Sequence, residues 1–497
     1  MRASGILMPV TSLPSKYGIG CFSKSAYDFV DFLEEAGQTY WQILPLGMTS
    51  YGDSPYQSFS TYAGNPYMID LCKLIEEGLL TEEECDAKDF GDNDRYIDYS
   101  KIYNSRYDIL RLAFERSNIE SDKEFKRFEK KNAFWLEDFA LFMAIKKKYD
   151  DVSWIEWPQE LQDRQKKAID KCKEELSEDI MFHKYLQFVF EKQWRELKKY
   201  ANDKNIQIIG DIPIYVALDS SDVWSDKGLF QFDKDGQPKA VAGCPPDAFS
   251  ETGQLWGNPL YDWDYNKKTG YEWWIKRIER CVELYDVIRI DHFRAFDQYY
   301  SIPYGDPTAE FGEWKDGPGM DLFKSIEKKL GKLHVIAEDL GFLTDTVKKL
   351  VEDSGFPGMK VIEFAFDSRE DSDYLPHTYD KNCVVYTGTH DNETVRGWYE
   401  NMNKDDKAKS IEYMNNKSTP LSEIHWDFIR LAMLSVADTC IIPIQDYLGL
   451  GNEARINTPS TIGNNWHWIM LEDEITDELV EKIKKLTIIS SRLQKES

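Results

Sequence analysis

The sequence predicts an α/β chain folded as a TIM-type (β/α)8 barrel with inserted, largely helical and loop-rich subdomains. Three observations carry that expectation. Eight short apolar runs rich in Val and Ile recur along the chain. Such continuous runs mark strands buried on both faces of a parallel sheet. Amphipathic stretches separate several of them, as βα units require. Acidic residues close three of the runs at their C-terminal ends, the ends that carry the chemistry in such barrels.

In chain order the runs are QTYWQILPL (38–46), NPYMIDL (65–71), IQIIGDIPIYV (206–216) and YDVIRIDHF (285–293). Then come LHVIAEDLG (333–341), MKVIEFAF (359–366), NCVVYTGTHD (382–391) and TCIIPIQDYLG (439–449). Between 182 and 200 one helical stripe gathers Phe182, Tyr185, Leu186, Val189, Trp194, Leu197 and Tyr200. An open doubly wound sheet is the alternative, but no glycine-rich phosphate loop follows any run. Two gaps exceed ordinary loops. Residues 72–181, rich in Lys, Glu and helix formers, read as a helical insertion between strands 2 and 3. Residues 217–284, with Gly, Pro, Asp and Trp, read as a loop-rich insertion between strands 3 and 4 over the active site. No repeat or low-complexity linker breaks the chain, so 1–497 reads as a single catalytic domain.

Composition narrows the partners. With 42% hydrophobic and 30% charged residues the chain is globular. Asp and Glu number 88 against 61 Lys and Arg, a net charge of -27. That surface argues against nucleic acid and anionic membrane as partners. The N-terminal MRASGILMPV lacks a signal-cleavage region, and no stretch is apolar enough to span a bilayer. Eight scattered Cys without a CxxC suggest reduced thiols and a cytoplasmic location. Aromatics reach 14% and crowd polar loops such as YGDSPYQSFSTY. Rings in such loops offer apolar faces to the C–H surface of a sugar.

The strand-end acids are Asp291 in IRIDHFRA, Glu338 in VIAEDLG and Asp391 in TGTHDNET. Three carboxylates on one barrel face suit cleavage of a glycosidic bond, which needs a nucleophile or base and an acid. Arg289 lies two residues before Asp291, so both side chains share a strand face. A guanidinium there favours the ionised carboxylate, although a purely structural pair reads equally well. The apolar approach to Glu338 favours its protonated form, as a general acid requires. Capping a helix near Thr344 is its plainer role. Asp391, flanked by His390 and Asn392, can hold ring hydroxyls as the sugar flattens. Asp211 in IIGDIPIYV is a further strand-end acid, for which capping or turn support after Gly210 reads as well as a direct catalytic role. His292 and His390 sit in acidic blocks, but no HExxH or paired His/Cys spacing accompanies them, so no metal and no cofactor is expected.

The blocks GDIPIYV, RIDHFRA, IAEDLG and TGTHDNET resemble the four signature regions of the 4-α-glucanotransferases (amylomaltases, or disproportionating enzymes) of the α-amylase superfamily. SGILMPVTSLPS, WQILPLGMTSYGDSPYQSFSTYAGNPYMIDL, PPDAFSETGQLWGNPLYDW and NEARINTPST extend the likeness from near residue 4 to near 468. The resemblance implies a barrel with inserted subdomains, no metal requirement and a retaining mechanism. Its substrates would be α-1,4-glucans, maltooligosaccharides or amylose, as both donor and acceptor. By motif position Asp291 would be the nucleophile, Glu338 the acid/base and Asp391 the stabiliser of the distorted sugar. Arg289, His390 and Asp211 would support them. Tyr56 resembles the aromatic platform at the cleavage point, with Ser54 nearby. Gln254 and Trp256 would line the donor and acceptor sites, with Phe249 the ring on the adjoining loop. Asn457 in INTPS would also reach substrate, and Tyr51 matches a tyrosine of a secondary glucan site. The chain departs from the family at Ala248, where tyrosine is usual, at Ser460 and His467, where glycine and arginine are common, and at Met8, where histidine is frequent. An α-1,4-glucan hydrolase of the α-amylase type would use the same carboxylates, and a non-catalytic glucan-binding protein would keep only the rings. The blocks at 41–71 and 244–263 favour the transferase.

Overall fold

The computed structural model describes residues 2–246, 250–341 and 343–494, with Tyr51 described by its backbone alone. Twelve strands are present among them. β1 spans Ala3–Leu7, β2 Tyr40–Gln42, β3 Gln207–Pro213 and β4 Ala240–Cys244. β5 spans Gln254–Pro259, β6 Val287–Asp291, β7 Gln298–Pro303 and β8 Glu313–Asp316. β9 spans Val335–Ala337, β10 Gly358–Val361, β11 Cys383–Tyr386 and β12 Thr439–Pro443. Eight of them form one parallel sheet in the order β10-β11-β12-β1-β2-β3-β6-β9.

That sheet curls into a nearly closed barrel. Its seam lies between β9 and β10, where no strand ladder forms. Pro357 precedes β10 and has no N–H to donate. Two other bonds bridge the seam instead. The Ala337 N–H donates to the Pro357 carbonyl at 2.9 Å, and the Met359 N–H donates to Asp339 Oδ1 at 2.7 Å. Between them Gly358 leaves room for the Asp339 carboxylate, which a Cβ at that position would strike.

Strand periodicity fixes what fills the barrel. Leu7, Ile209, Ile336, Met359, Val361, Val384, Tyr386 and Ile441 form a buried interior cluster, with Tyr40 and Val287 packed against it. Every one of the eight strands contributes to this plug. The alternate residues, among them Ile6, Ile208, Ile288, Ile290, Val385 and Ile442, face outward into the larger core beneath the helices. The same parity carries upward. Two residues beyond Tyr40, Ile209, Val287 and Ile336 come Gln42, Asp211, Arg289 and Glu338, and two beyond Arg289 comes Asp291. The apolar plug thus ends in a layer of charged and polar side chains at the C-terminal rim.

Two strand expectations need correction. NPYMIDL is not a strand: Pro66–Met68 is a 3-10 turn and Leu71–Glu76 a helix. Asn65 caps the Tyr67 amide and Asp70 the Cys72 amide, and these local bonds outweigh the apolar content. The missing strand is β1, whose small residues Ser4 and Gly5 hide its character. Gly5 is required there, because a Cβ would meet the Tyr40 carbonyl at 2.5 Å.

Between β2 and β3 the chain is largely helical, with long helices at Tyr99–Arg116, Lys123–Lys148 and Ser177–Asp203. The last contains the aromatic stripe, and its Phe182, Tyr185, Leu186, Trp194 and Leu197 are buried. Between β3 and β6 the chain is more ordered than a loop-rich reading implies. It holds β4, β5 and the helix Glu272–Leu284 that leads into β6. β4 and β5 join β7 and β8, from beyond β6, in an antiparallel sheet of order β5-β4-β7-β8. β5 (QLWGNP) carries turn residues, and the whole of β8 (EWKD) is exposed, so neither shows the alternation that marks a strand. At the opposite end of the barrel the buried Arg492 guanidinium donates to the carbonyls of Ala3, Met433, Ala437 and Asp438, which ties the C-terminal segment to β1 and β12. Among the described residues no helix is long and apolar enough to cross a membrane.

The seam yields a test. Gly358→Ala should push the Asp339 carboxylate off the Met359 amide and cost about 1–3 kcal/mol, the range for a buried bond lost to overpacking. Urea unfolding of the two proteins measures it, and an unchanged midpoint would count against this account of the seam.

Candidate active site

Arg289 is the centre of the rim. It stands inside β6, only 3% exposed. Its Nη1 donates to Asp211 Oδ2 on β3 at 2.6 Å and to Asp291 Oδ1 on its own strand at 3.2 Å. β3 and β6 are neighbours in register, with Asp211 opposite Arg289, so the first pair is dictated by strand pairing. Its Nε lies 3.4 Å from the Met359 sulfur at the top of the apolar plug. One fully buried cation therefore faces two carboxylates.

The Asp211 carboxylate, 0% exposed, also accepts the Tyr56 hydroxyl at 2.8 Å. Tyr56 reaches in from the loop after β2. Its ring stacks on His390, with centroids 5.1 Å apart and planes 16° from parallel. His390 Nε2 is 3.3 Å from Asp391 Oδ2, and Nδ1 is 3.5 Å from the Tyr56 hydroxyl. Burial pushes the His390 pKa down, so the ring is neutral. A proton on Nε2 donates to Asp391 and leaves Nδ1 facing Tyr56. The Asn457 amide donates to the other Asp391 oxygen at 2.6 Å. The Arg455 guanidinium holds the Asp391 carbonyl at 2.7 Å. Asp391 remains 43% exposed, open to the cleft.

Glu338 follows β9 by one residue. Ile290 of β6 pairs with Ala337 of β9, so Asp291 and Glu338 succeed a paired couple on adjacent strands. Neighbouring strands lie about 4.8 Å apart, which brings the two acids to one spot on the rim. Glu338 Oε2 accepts the His292 N–H at 2.7 Å, and Oε1 the Leu340 N–H at 2.9 Å. The first bond explains an unusual backbone. His292 has φ of 52°, a left-handed conformation costly for a non-glycine residue, and in it the amide points at Glu338.

Burial raises the pKa of both acids, with Glu338 adding to the rise at Asp291 and Asp339 to that at Glu338. For Asp291 the push is the larger, opposed by Arg289. For Glu338 the Arg289 charge and the two amides oppose it. Arg289 thus favours the ionised Asp291, and burial with the neighbouring Asp339 raises Glu338, the directions expected from the sequence, while burial of Asp291 itself works against its ionisation.

Asp291, Glu338, Asp391, Asp211, Arg289, His390, Tyr56 and Asn457 thus form one connected rim. Gln254 and Trp256 stand at its edge on β5. The Trp256 indole donates to Gln254 at 3.1 Å, and its ring meets His292 edge-on at 4.9 Å. Ser54 shapes the turn below Tyr56 by accepting the Tyr56 N–H at 3.3 Å and does not bond to the acids. Phe249 and Ala248 lie outside the described residues, as does the Tyr51 side chain. Sequence reasoning missed Gln42 and Tyr386, joined at 2.9 Å within the barrel, and Trp466, packed beside Tyr56 and His390. Arg455 was also missed, although it sits in the NEARINTPST block that held Asn457. Among the described residues no group of three or more His, Cys, Asp or Glu side chains is arranged to hold a metal ion.

A parallel barrel with acids gathered at its C-terminal rim suits a carbohydrate-active barrel enzyme. Comparison with known proteins gives the particular family. The family model described as 4-alpha-glucanotransferase matches residues 8–473. A 4-alpha-glucanotransferase from Clostridium butyricum is 53% identical over 489 residues, 98% of this chain and 100% of that one. One from Thermus thermophilus is 44% identical over 501 residues, 99% of each chain. The amylomaltase from Streptococcus agalactiae, solved in complex with acarbose, superposes with a TM-score of 0.96 at 43% identity, covering 99% of this chain and 100% of that one. The chain belongs to the 4-alpha-glucanotransferase family and is an enzyme of that class, an amylomaltase.

Arg289→Met should leave the buried Asp211 and Asp291 without their cation. A loss of roughly 3–5 kcal/mol is expected at neutral pH. The loss should shrink in acid, where a carboxyl takes up a proton instead. Unfolding curves at both pH values measure this, and a variant as stable as the parent at neutral pH would contradict it.

Proposed function

We propose that the enzyme moves α-1,4-glucan segments from a donor to the 4-hydroxyl of an acceptor glucan or glucose by double displacement, with Asp291 as nucleophile. The observation that carries this reading is the adjacency of Asp291 and Glu338 in strand register, with Arg289 bonded to Asp291. Asp291 attacks the anomeric carbon. Glu338 protonates the departing oxygen, and the shortened glucan leaves. A β-linked glycosyl ester on Asp291 remains. Glu338, now a base, takes the proton from the acceptor 4-hydroxyl, which displaces Asp291. Two inversions retain the α configuration. Such a route needs the two carboxyl groups about 5–5.5 Å apart.

Glu338 is the natural seat of the proton in this scheme. As the anomeric carbon becomes positive, it and Arg289 together favour a charged Asp291, so the proton belongs on Glu338. Asp391 grips ring hydroxyls, held by His390 and Asn457 on either oxygen. Tyr56, stacked and hydrogen-bonded, is a rigid platform for the sugar. Asp211 supports Arg289 from below. Ser54, Gln254, Phe249 and Trp256 belong to the substrate-binding reading, with Tyr51 at a secondary glucan site. Transfer must exclude water, and a well-oriented acceptor competes through an effective molarity of about 10⁵ M or more. The segment from Pro245 to Trp256 is the lid in this reading.

The same reading makes 1–497 one catalytic domain, with 72–181 and 217–284 as embedded subdomains. Its substrates are starch- or glycogen-derived maltodextrins. The scattered, mostly buried cysteines suit a reducing, cytoplasmic setting.

Maltotriose as sole substrate tests the reaction. Glucose and a ladder of longer maltodextrins, without net gain of reducing ends, is the expected product pattern. Net gain would mean a hydrolase, and no change a binding protein. Glu338→Gln should slow disproportionation by about 10²–10⁴-fold, the worth of a general acid–base. Asp291→Asn should abolish it with the circular dichroism unchanged. Near-normal rates in either variant would refute the assignment. Trp256→Ala should raise the net gain of reducing ends relative to the maltodextrin ladder, and an unchanged ratio would defeat the lid.

A further inference from the structure

We propose that Arg455 is a positioning residue for Asp391: its planar guanidinium grips the main-chain carbonyls of Asp391 and Asn457 together, and so sets where the Asp391 carboxylate meets the sugar. The inference rests on the reading of Asp391 as stabiliser of the sugar. β11 and β12 are paired neighbours in the barrel, so the loops leaving their C-terminal ends lie side by side. The first loop carries Asp391, and the second carries Arg455 and Asn457. Asp391 stays open to the cleft, so packing alone does not fix its side chain. Hydrogen bonds do, from His390 in the same turn and from Asn457 in the second loop.

Arg455 uses two nitrogens of one plane. Nη2 donates to the Asp391 carbonyl at 2.7 Å, and Nε to the Asn457 carbonyl at 2.8 Å. The two loops meet beside this fork. The Asn457 N–H donates to the His390 carbonyl at 3.1 Å, and the Asn457 amide to Asp391 Oδ1 at 2.6 Å. These bonds close a ring. The Arg455 plane fixes the main chain on both sides of the contact, and Asn457 fixes the carboxylate between them. The ring stands on the core, because Ile456, between Arg455 and Asn457, is buried there and its carbonyl accepts the Trp466 N–H at 2.7 Å. Farther along, Asn452 accepts the Thr394 N–H at 3.3 Å and donates to Glu393 at 2.5 Å, which joins the same two loops again.

Direction, rather than charge, is what Arg455 contributes. The transition state of glycosyl transfer is positive at the anomeric carbon, so a nearby cation gives it no electrostatic help. A guanidinium offers N–H groups in fixed directions, whereas a lysine ammonium is a point charge on a flexible stem. Asp391 must meet ring hydroxyls that move as the sugar flattens. A misplacement of about 1 Å at such a group can cost about 10²-fold in rate. Without the fork the Asp391 carbonyl loses its partner, and the turn leans on Asn457, whose own carbonyl is released as well.

The test is a mutant cycle in the full chain: Arg455→Ala, Arg455→Lys, Asp391→Asn, and each Arg455 variant combined with Asp391→Asn. Maltotriose kinetics and urea unfolding are the readouts, with high enzyme concentration for the slow Asp391→Asn variants. Arg455→Ala should lower kcat by about tenfold to 10²-fold with KM changed less than about threefold, because a displaced stabiliser harms the transition state rather than binding. Arg455→Lys keeps the charge without the fork and should recover no more than about threefold of that loss. The double variant separates positioning from general support of the fold. In the Asp391→Asn background, Arg455→Ala should cost less than about threefold more, because the group it positions is already gone. Parental kcat in Arg455→Ala or in Arg455→Lys overturns the proposal, and so does a second full loss in the double variant. Should Arg455→Ala not fold, Arg455→Lys alone and with Asp391→Asn decides by the same criteria. Asp391→Asn tells the two levels apart. An impaired Asp391→Asn with unaffected Arg455→Ala sinks this proposal alone, whereas a fully active Asp391→Asn sinks the role given to Asp391 itself.

Discussion

A single buried guanidinium organises the mouth of this barrel. Arg289 touches Asp211, Asp291 and the sulfur of Met359, so it joins two strands and the apolar plug in one contact set. A cation taken out of water is expensive unless its partners are close and well placed. Strand pairing supplies that placement, since Asp211 is the register partner of Arg289. Asp211 in turn fixes Tyr56, Tyr56 stacks on His390, and His390 meets Asp391. One electrostatic centre thus reaches the loops that must hold a sugar.

The second constraint is parity. In a strand every second residue faces the same way, and the eight strands obey it together. Ile209 to Asp211, Val287 to Arg289 to Asp291, and Ile336 to Glu338 are the same step repeated on three strands. Hydrophobic residues fill the barrel until the rim, then polar ones replace them without a change of face. Drying those acids raises the pKa of both Asp291 and Glu338.

Much of this was legible in the sequence because it is local and periodic. The apolar runs ending in RIDHF, IAEDL and TGTHD located three strands and the rim acids. Reading failed where tertiary packing overrides propensity. β1 was missed because Ser4 and Gly5 interrupt its apolar run, and Gly5 is there to admit Tyr40. NPYMIDL misled because caps at Asn65 and Asp70 decide the backbone there. The β4–β5–β7–β8 sheet draws on two separate segments, and a scan along the chain sees neither as a sheet. The amides that grip Glu338 could not be foreseen, since they depend on the left-handed turn at His292.

In the proposed reaction Asp291, braced by Arg289, forms a covalent bond to the sugar. Trapping tests it directly. Glu338→Gln, offered an α-maltosyl fluoride whose leaving group needs no acid, should accumulate a glycosylated protein, and peptide mass spectrometry should find the glycosyl mass on the peptide containing Asp291. No adduct, or an adduct on Asp211 or Asp391, would contradict the account.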